Sequence, residues 1–280
     1  MARTLKQAID EHRPLVVPSI YDGISALLVR DLGFHAAYIG SYATGAAKYG
    51  VPDIGYIGLE DMADQVRRLA PVAGVPIIVD GEGGWGNPLH VARSVQVLER
   101  AGAAATHIED HVFGKHLIGK SHILPVGQAV DKIKAAVDAR DSTNFMIIGR
   151  TDSFLTEGPA AAVDRVLAYQ EAGADGVFVA GYLDAENQSR LRAEARVPIF
   201  TVDLPTRSAA DHGAEGADVV LYYALAHQAA INGIRAALEV LAREGSTTSI
   251  EKELGSVVDL DAFLGIGPAR EKARKYGLLD

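Results

Sequence analysis

The chain has 280 residues, 48% of them hydrophobic and 22% charged, which suits one large core and excludes a disordered or fibrous class. A formal net charge of −9 argues against a nucleic-acid groove or an anionic membrane surface as main partner, and zero cysteines exclude disulfides, thiolate metal sites and a cysteine nucleophile or general acid. No apolar run is long enough to span a bilayer, and the amino terminus enters a polar helix-like segment instead of a signal-peptide core, so the expected location is cytoplasmic.

The first strand candidate is residues 15–18. Residues 32–40 then read as a helix end, a glycine stop, small residues and a strand, and the same phrase recurs at 101–109, 172–180 and 215–222. Glycine takes the left-handed position after a helix, and the small residues let the helix lie close to the sheet. Further strand candidates are 75–80, 145–150 and 197–203, while 61–72, 90–101, 129–139, 160–172 and 209–215 carry apolar residues at helical spacing. Eight short apolar strands alternating with helices predict an α/β fold, a (β/α)8 TIM barrel, over residues 1–245. An open doubly wound sheet fits less well, because residues 17–23 lack a phosphate-binding glycine fingerprint. Residues 246–280 are expected to form a C-terminal extension that packs on the barrel or, the favoured reading, on a neighbouring subunit.

In such a barrel the chemistry lies at the carboxyl ends of the strands. The third strand runs into Asp80-Gly81-Glu82-Gly83-Gly84-Trp85-Gly86-Asn87, delivering two carboxylates at i and i+2. A hard divalent cation partners such acids well, although a capped turn with solvated acids is the plainer alternative. Glu109 and Asp110 follow the fourth strand, and Arg150 and Asp152 the fifth. Mg²⁺, or Mn²⁺, can bridge the acids while Arg150 takes a substrate carboxylate in its planar fork; an internal salt-bridge network is the competing view. After the second strand, the small residues of Ser41-Tyr42-Ala43 allow backbone N–H groups to converge on a carboxylate. A turn places Asp53 near the mouth. Residues 111–126 carry Lys115, His116, Lys120, Ser121 and His122 between Gly114 and Gly119, a composition that suits a basic lid over an anionic substrate. The histidines there read mainly as solvated.

Six separated motifs, Gly40-Ser41, Gly50-Val51-Pro52-Asp53, Val79 to Asn87, Ile108-Glu109-Asp110, Gly149-Arg150-Thr151-Asp152 and Tyr169 to Asp175, resemble in order and spacing the isocitrate lyase and phosphoenolpyruvate mutase superfamily. The resemblance covers about residues 10–245. It implies a barrel whose eighth helix is exchanged between subunits of a dimer, usually within a homotetramer, and Mg²⁺ held by Asp80, Glu82 and Glu109, partly through water. It further implies that the backbone at Ser41, Tyr42 and Ala43 holds the substrate carboxylate, that Asp53 orders the site or its water, and that Arg150 clamps the substrate. Glu82 departs from the pattern, since the family more often has Asp there. The lid departs further. Lyases that release succinate use a Lys-Arg-Cys-Gly-His segment, and Leu117 stands in the cysteine position; phosphonopyruvate mutases place Asn-Ser where this chain has Leu117-Ile118.

Together these features predict a Mg²⁺-dependent lyase that cleaves the C3 bond of a small 2-oxo or 2-hydroxy dicarboxylate through a metal-bound pyruvate enolate, with oxaloacetate the first substrate to try. Asp53, Lys115 and Arg150 are the expected catalytic residues. Decarboxylation needs no protonated leaving group, which suits a chain without cysteine. Phosphorus–carbon bond chemistry on phosphonopyruvate is the alternative, and an anion-binding barrel without catalysis is the alternative of another class. The expected partners are a small anionic acid and further copies of the chain in a homo-oligomer, with neither nucleic acid nor membrane.

Overall fold

A computed structural model describes residues 3–112 and 123–279. Its eight strands are β1 (Leu15–Pro18), β2 (Ala37–Ile39), β3 (Ile77–Asp80), β4 (Ala105–Glu109), β5 (Met146–Thr151), β6 (Gly176–Val179), β7 (Ile199–Val202) and β8 (Val219–Tyr222), each within a segment expected to be extended except that β5 runs one residue further, to Thr151. All pair in parallel, in the order β1-β8-β7-β6-β5-β4-β3-β2. A Ser19–Tyr38 bridge and a 2.8 Å hydrogen bond from Ile20 N–H to Tyr38 C=O join β1 to β2, so the sheet curls into the TIM barrel.

The two-residue period of the strands builds two cores from one sequence. Leu15, Val17, Tyr38, Ile78, Ala105, Met146, Ile148, Phe178, Phe200 and Leu221 share the interior cluster. Their neighbours Ile39, Ile77, Val79, Ile108, Ile147, Val177 and Ile199 belong to the outer cluster, which the helices cover. Both faces of the sheet are therefore apolar, which explains why the strands read as unbroken apolar runs. Where the alternation reaches the strand ends, the inward positions become Asp80, His107, Glu109 and Arg150.

The helices Leu59–Ala73, Pro88–Ala101, Val126–Ala139, Pro159–Glu171 and Ala209–Ala214 fall where the apolar spacing predicts them. Ser41–Tyr49 is also a helix, ended by Gly50 in the left-handed conformation (φ 65°), although its small residues carry no apolar stripe. Its close packing is visible at Gly45, where a Cβ would come within 3.2 Å of the Ile57 side chain.

The chain divides into two compact units, Met1–His227 and Gln228–Asp280. The first holds the whole barrel. The second is helical: it takes most of the helix Leu225–Glu244, then Glu251–Leu254, Val257–Phe263 and Ile266–Lys275. Among the described residues, no helix is long and apolar enough to cross a membrane.

Candidate active site

Strand register assembles the site. Asp80 on β3 lies opposite His107 on β4, Glu109 on β4 opposite Arg150 on β5, and Arg150 opposite Phe178 on β6. Beyond Asp80 the chain turns at Gly81, where a Cβ would approach His107 O and Thr106 Oγ1 to 2.5 Å, so only glycine lets the turn pass this close to β4. Glu82 follows with a positive φ of 48°, a costly conformation for a long side chain. Two backbone bonds hold it there: its N–H donates to Asp80 Oδ1 at 2.9 Å and its C=O accepts from Glu109 N–H at 2.9 Å. The strained turn thus ties Asp80 at the end of β3 and Glu82 beyond it to the acid of β4.

The three carboxylates are almost wholly buried, at 3% exposure for Asp80, 6% for Glu82 and 1% for Glu109. Cationic and donor groups surround them. Arg150 Nη1 is 2.6 Å from Glu109 Oε1, His111 Nδ1 is 2.6 Å from Glu109 Oε2, and His107 Nδ1 is 3.7 Å from both Asp80 and Glu109. Two groups of three, Asp80 with His107 and Glu109, and Glu82 with Glu109 and His111, have ligand atoms within 4.8 Å of one another and can hold a metal ion. Glu109 belongs to both. Buried, oxygen-rich and anionic donors at the end of a barrel fit a hard divalent cation such as Mg²⁺ or Mn²⁺.

Arg150 is fixed from behind as well. Asp152 accepts its fork at 3.1 Å from Nε and 2.9 Å from Nη2. Burial alone would favour the neutral guanidine, but Asp152, Glu109 and Asp80 outweigh it and hold Arg150 charged. Tyr38, facing the same layer, reaches Asp80 at 3.3 Å and His107 Nε2 at 3.0 Å. Burial first, and the charge of Asp80 second, push its phenol well above the ordinary value, so it stays a neutral hydroxyl.

The helix Ser41–Tyr49 brings its first turn to the same place. Ser41 Oγ donates to Asp80 Oδ2 at 2.9 Å and to Asp53 Oδ1 at 3.2 Å, and its backbone N–H points to Asp80 at 3.3 Å. Tyr42 and Ala43 supply the next N–H groups of that turn, which have no carbonyl partner within a helix. Tyr42, Asp53, Asp80 and Arg150 line one cavity of about 440 Å³. The structure therefore gathers Ser41, Tyr42, Asp53, Asp80, Glu82, Glu109 and Arg150, with Ala43 buried at the helix start. Lys115 and the rest of the expected lid lie outside the described residues.

Asp110 does not join these acids. It faces the helix layer, where it accepts hydrogen bonds from Thr151 Oγ1 (2.5 Å), Tyr169 Oη (2.7 Å), the Asp152 backbone N–H (3.0 Å) and Arg165 Nη1 (3.4 Å). Burial pushes its carboxyl above the usual range against the pull of those donors. Alternation explains the placement, since Glu109 points inward and the next residue must point out. Asp110→Ala is expected to lower stability by about 1–3 kcal/mol, because Thr151 Oγ1, Tyr169 Oη and the Asp152 N–H lose their buried acceptor, while Arg165 keeps Glu157. An unchanged urea midpoint would show the network to be slack.

Tyr38, His107 and His111 are site residues that motif reading passed over. A signal exists for the first two. His107 is two residues before Glu109, on the same strand face, and Tyr38 two residues before Gly40 at the end of β2.

A family model described as phosphoenolpyruvate phosphomutase matches residues 5–242. The chain is 30% identical to the 2-methylisocitrate lyase of Shewanella oneidensis over 275 residues, covering 95% of this chain and 94% of that protein. It is 30% identical to the 2,3-dimethylmalate lyase of Eubacterium barkeri over 285 residues, 98% of each, and 35% identical to the oxaloacetate decarboxylase of Paraburkholderia xenovorans over 205 residues, 72% of this chain and 69% of that one. Among solved structures, oxaloacetate acetylhydrolase with 3,3-difluorooxalacetate superposes with a TM-score of 0.89 at 26% identity, covering 99% and 97% of the two chains. Phosphonopyruvate hydrolase with oxalate and Mg²⁺ gives 0.87 at 26% identity, covering 97% of each.

Proposed function

Since the chain belongs to the isocitrate lyase and phosphoenolpyruvate mutase superfamily, we propose that it is a divalent-metal-dependent carbon–carbon lyase acting on a small 2-oxo or 2-hydroxy dicarboxylate. The observation that carries this reading is the buried set Asp80, Glu82 and Glu109 beside a charged Arg150, with Asp80 and Arg150 lining one cavity. These three carboxylates would hold Mg²⁺, or Mn²⁺ in its place. The cation, when bound, supplies the Lewis acid that takes up the negative charge released as the C3 bond breaks.

The chain's own residues do the rest. The first turn of Ser41–Tyr49, where the Tyr42 and Ala43 N–H groups have no carbonyl partner within the helix, binds one substrate carboxylate. Arg150 takes the other, preset by the Asp152 fork so that little freedom is lost on binding. Asp53 and Ser41 form a hydrogen-bonded pair that orders substrate or water at the rim. Lys115 is the proposed cation of the covering segment. Oxaloacetate is the first substrate to test, supported by the decarboxylase and acetylhydrolase relatives.

A screen for pyruvate release from oxaloacetate, substituted malates and phosphonopyruvate tests the reading. Turnover of a carbon substrate should stop with EDTA and return with Mg²⁺ or Mn²⁺. Turnover that survives chelation refutes the metal role, release from phosphonopyruvate alone favours phosphorus–carbon chemistry, and binding of oxalate without any turnover favours the non-catalytic barrel.

The chain would work as a homo-oligomer. In the second unit, Ile231, Ile234, Leu238 and Leu241 recur at helical spacing and are 44–61% exposed, a stripe that a second copy can bury. Light scattering should report a dimer or tetramer, and a stable monomer at micromolar concentration would remove this part of the proposal.

A further inference from the structure

A smaller cavity of about 210 Å³ adjoins the metal-side acids. Glu82, Trp85, His111, Leu124 and Lys132 line it, and none of them lines the substrate cavity. Lys132 comes from the inward stripe of the helix Val126–Ala139, three residues after buried Ala129 and four before buried Ala136, whereas Lys134 is exposed. An ammonium seldom sits on such a stripe. Burial pushes it below the ordinary lysine value although the charge of Asp110 opposes the shift, so the placement is costly. Among the described residues its one hydrogen bond runs from Nζ to the Gly83 carbonyl, at 2.8 Å.

Gly83 belongs to the turn that carries Glu82. The Gly84 N–H closes that turn on the Gly81 carbonyl at 2.8 Å, so the peptide joining Gly83 to Gly84 is held at its N–H by the turn and at its C=O by Lys132. The next carbonyl, of Gly84, accepts from Ser94 Oγ at 3.3 Å. Such anchoring matters because Glu82 (φ 48°) and Trp85 (φ 54°) both stand in the left-handed region, which side chains of this size keep only where the surroundings hold them. Freed at Gly83, the turn can relax and swing the Glu82 carboxylate away from Glu109 and His111, whose ligand atoms lie within 4.8 Å of it.

We infer that Lys132 is a positioning residue for the metal site: by holding the Gly83 carbonyl, its ammonium keeps Glu82 where it can ligate the cation. The inference rests on the reading of Asp80, Glu82 and Glu109 as metal ligands. Its sign separates it from simple electrostatics. A cation close to the acid cluster repels a divalent ion, so removing its charge alone would tighten metal binding, whereas losing the anchor weakens it.

Calorimetric titration of the full-length protein with Mg²⁺ tests this. Lys132→Met, similar in length but without charge or donor, should weaken Mg²⁺ affinity about tenfold, the order expected for one hydrogen bond from a charged group. Lys132→Gln, whose amide stops short of Gly83, should lose as much. Lys132→Arg keeps a charged donor, and the adjoining cavity has room for its larger head, so its affinity should stay within about threefold of the wild type. Urea midpoints are measured in parallel, because a merely structural lysine would move the midpoint and leave the metal affinity of the folded protein as it was. Affinity that is unchanged or tighter in the Met and Gln proteins overturns the inference, as does an Arg protein as weak as they are. Those results leave the metal reading standing, since the wild type still binds Mg²⁺; a wild type that binds none sinks that reading and the inference together.

Discussion

Glu109→Gln is expected to reduce turnover about a thousandfold or more and to abolish Mg²⁺ binding measured by calorimetry. Glu109 is the one carboxylate common to both groups of metal-binding geometry, and it touches Arg150 and His111 at 2.6 Å each. The amide keeps the shape but removes a negative charge from the centre of the cluster. Lewis-acid stabilisation of a developing anion contributes several kcal/mol, and about 4 kcal/mol corresponds to a thousandfold in rate. Folding should survive, because Arg150 retains Asp152 and the strand pairing is untouched. A variant that binds Mg²⁺ within twofold of the wild type and turns over normally would remove Glu109 from the metal site.

Arg150→Lys should lower kcat/KM by about 100-fold and weaken oxalate binding in parallel. Lysine preserves the charge, yet it cannot span the fork to Asp152 and the separate contact to Glu109 at once. It also loses the flat face that Arg150 lays over the Phe178 ring at 5.1 Å. Losing one or two charge-assisted hydrogen bonds costs about 1.5–3 kcal/mol, which covers a 10- to 100-fold loss. Circular dichroism controls for the fold. Unchanged kinetics with an intact spectrum would reduce Arg150 to a structural ion pair between β4 and β5.

The metal-side acids were legible because their signal is local. Asp80 ends an apolar strand and Glu82 stands in the glycine-rich turn after it, Glu109 closes β4 and Arg150 is the last residue but one of β5, so chain position alone placed them at one end of a barrel. Asp110 shows the limit of that reasoning. It is a strand-end acid like Glu109, but a one-residue step turns it toward Tyr169 and Arg165 on the helix layer. Tyr38 and His107 were passed over for the opposite reason, since each looks like one more member of an apolar strand until the register brings it beside Asp80.

By itself, the sequence determined the alternation of eight strands and their helices, and the residues that end each strand, because hydrophobic period and glycine stops act over a few residues. Tertiary structure alone decided which strand-end side chains meet. It put His107 and His111 among the carboxylates, turned Asp110 away, and set the apolar ends of β6, β7 and β8 across the cavity from Arg150. Those neighbours come from residues up to about 140 positions apart. Only the curl of the sheet, with its parallel register and inward alternation, brings them within reach of a single small acid.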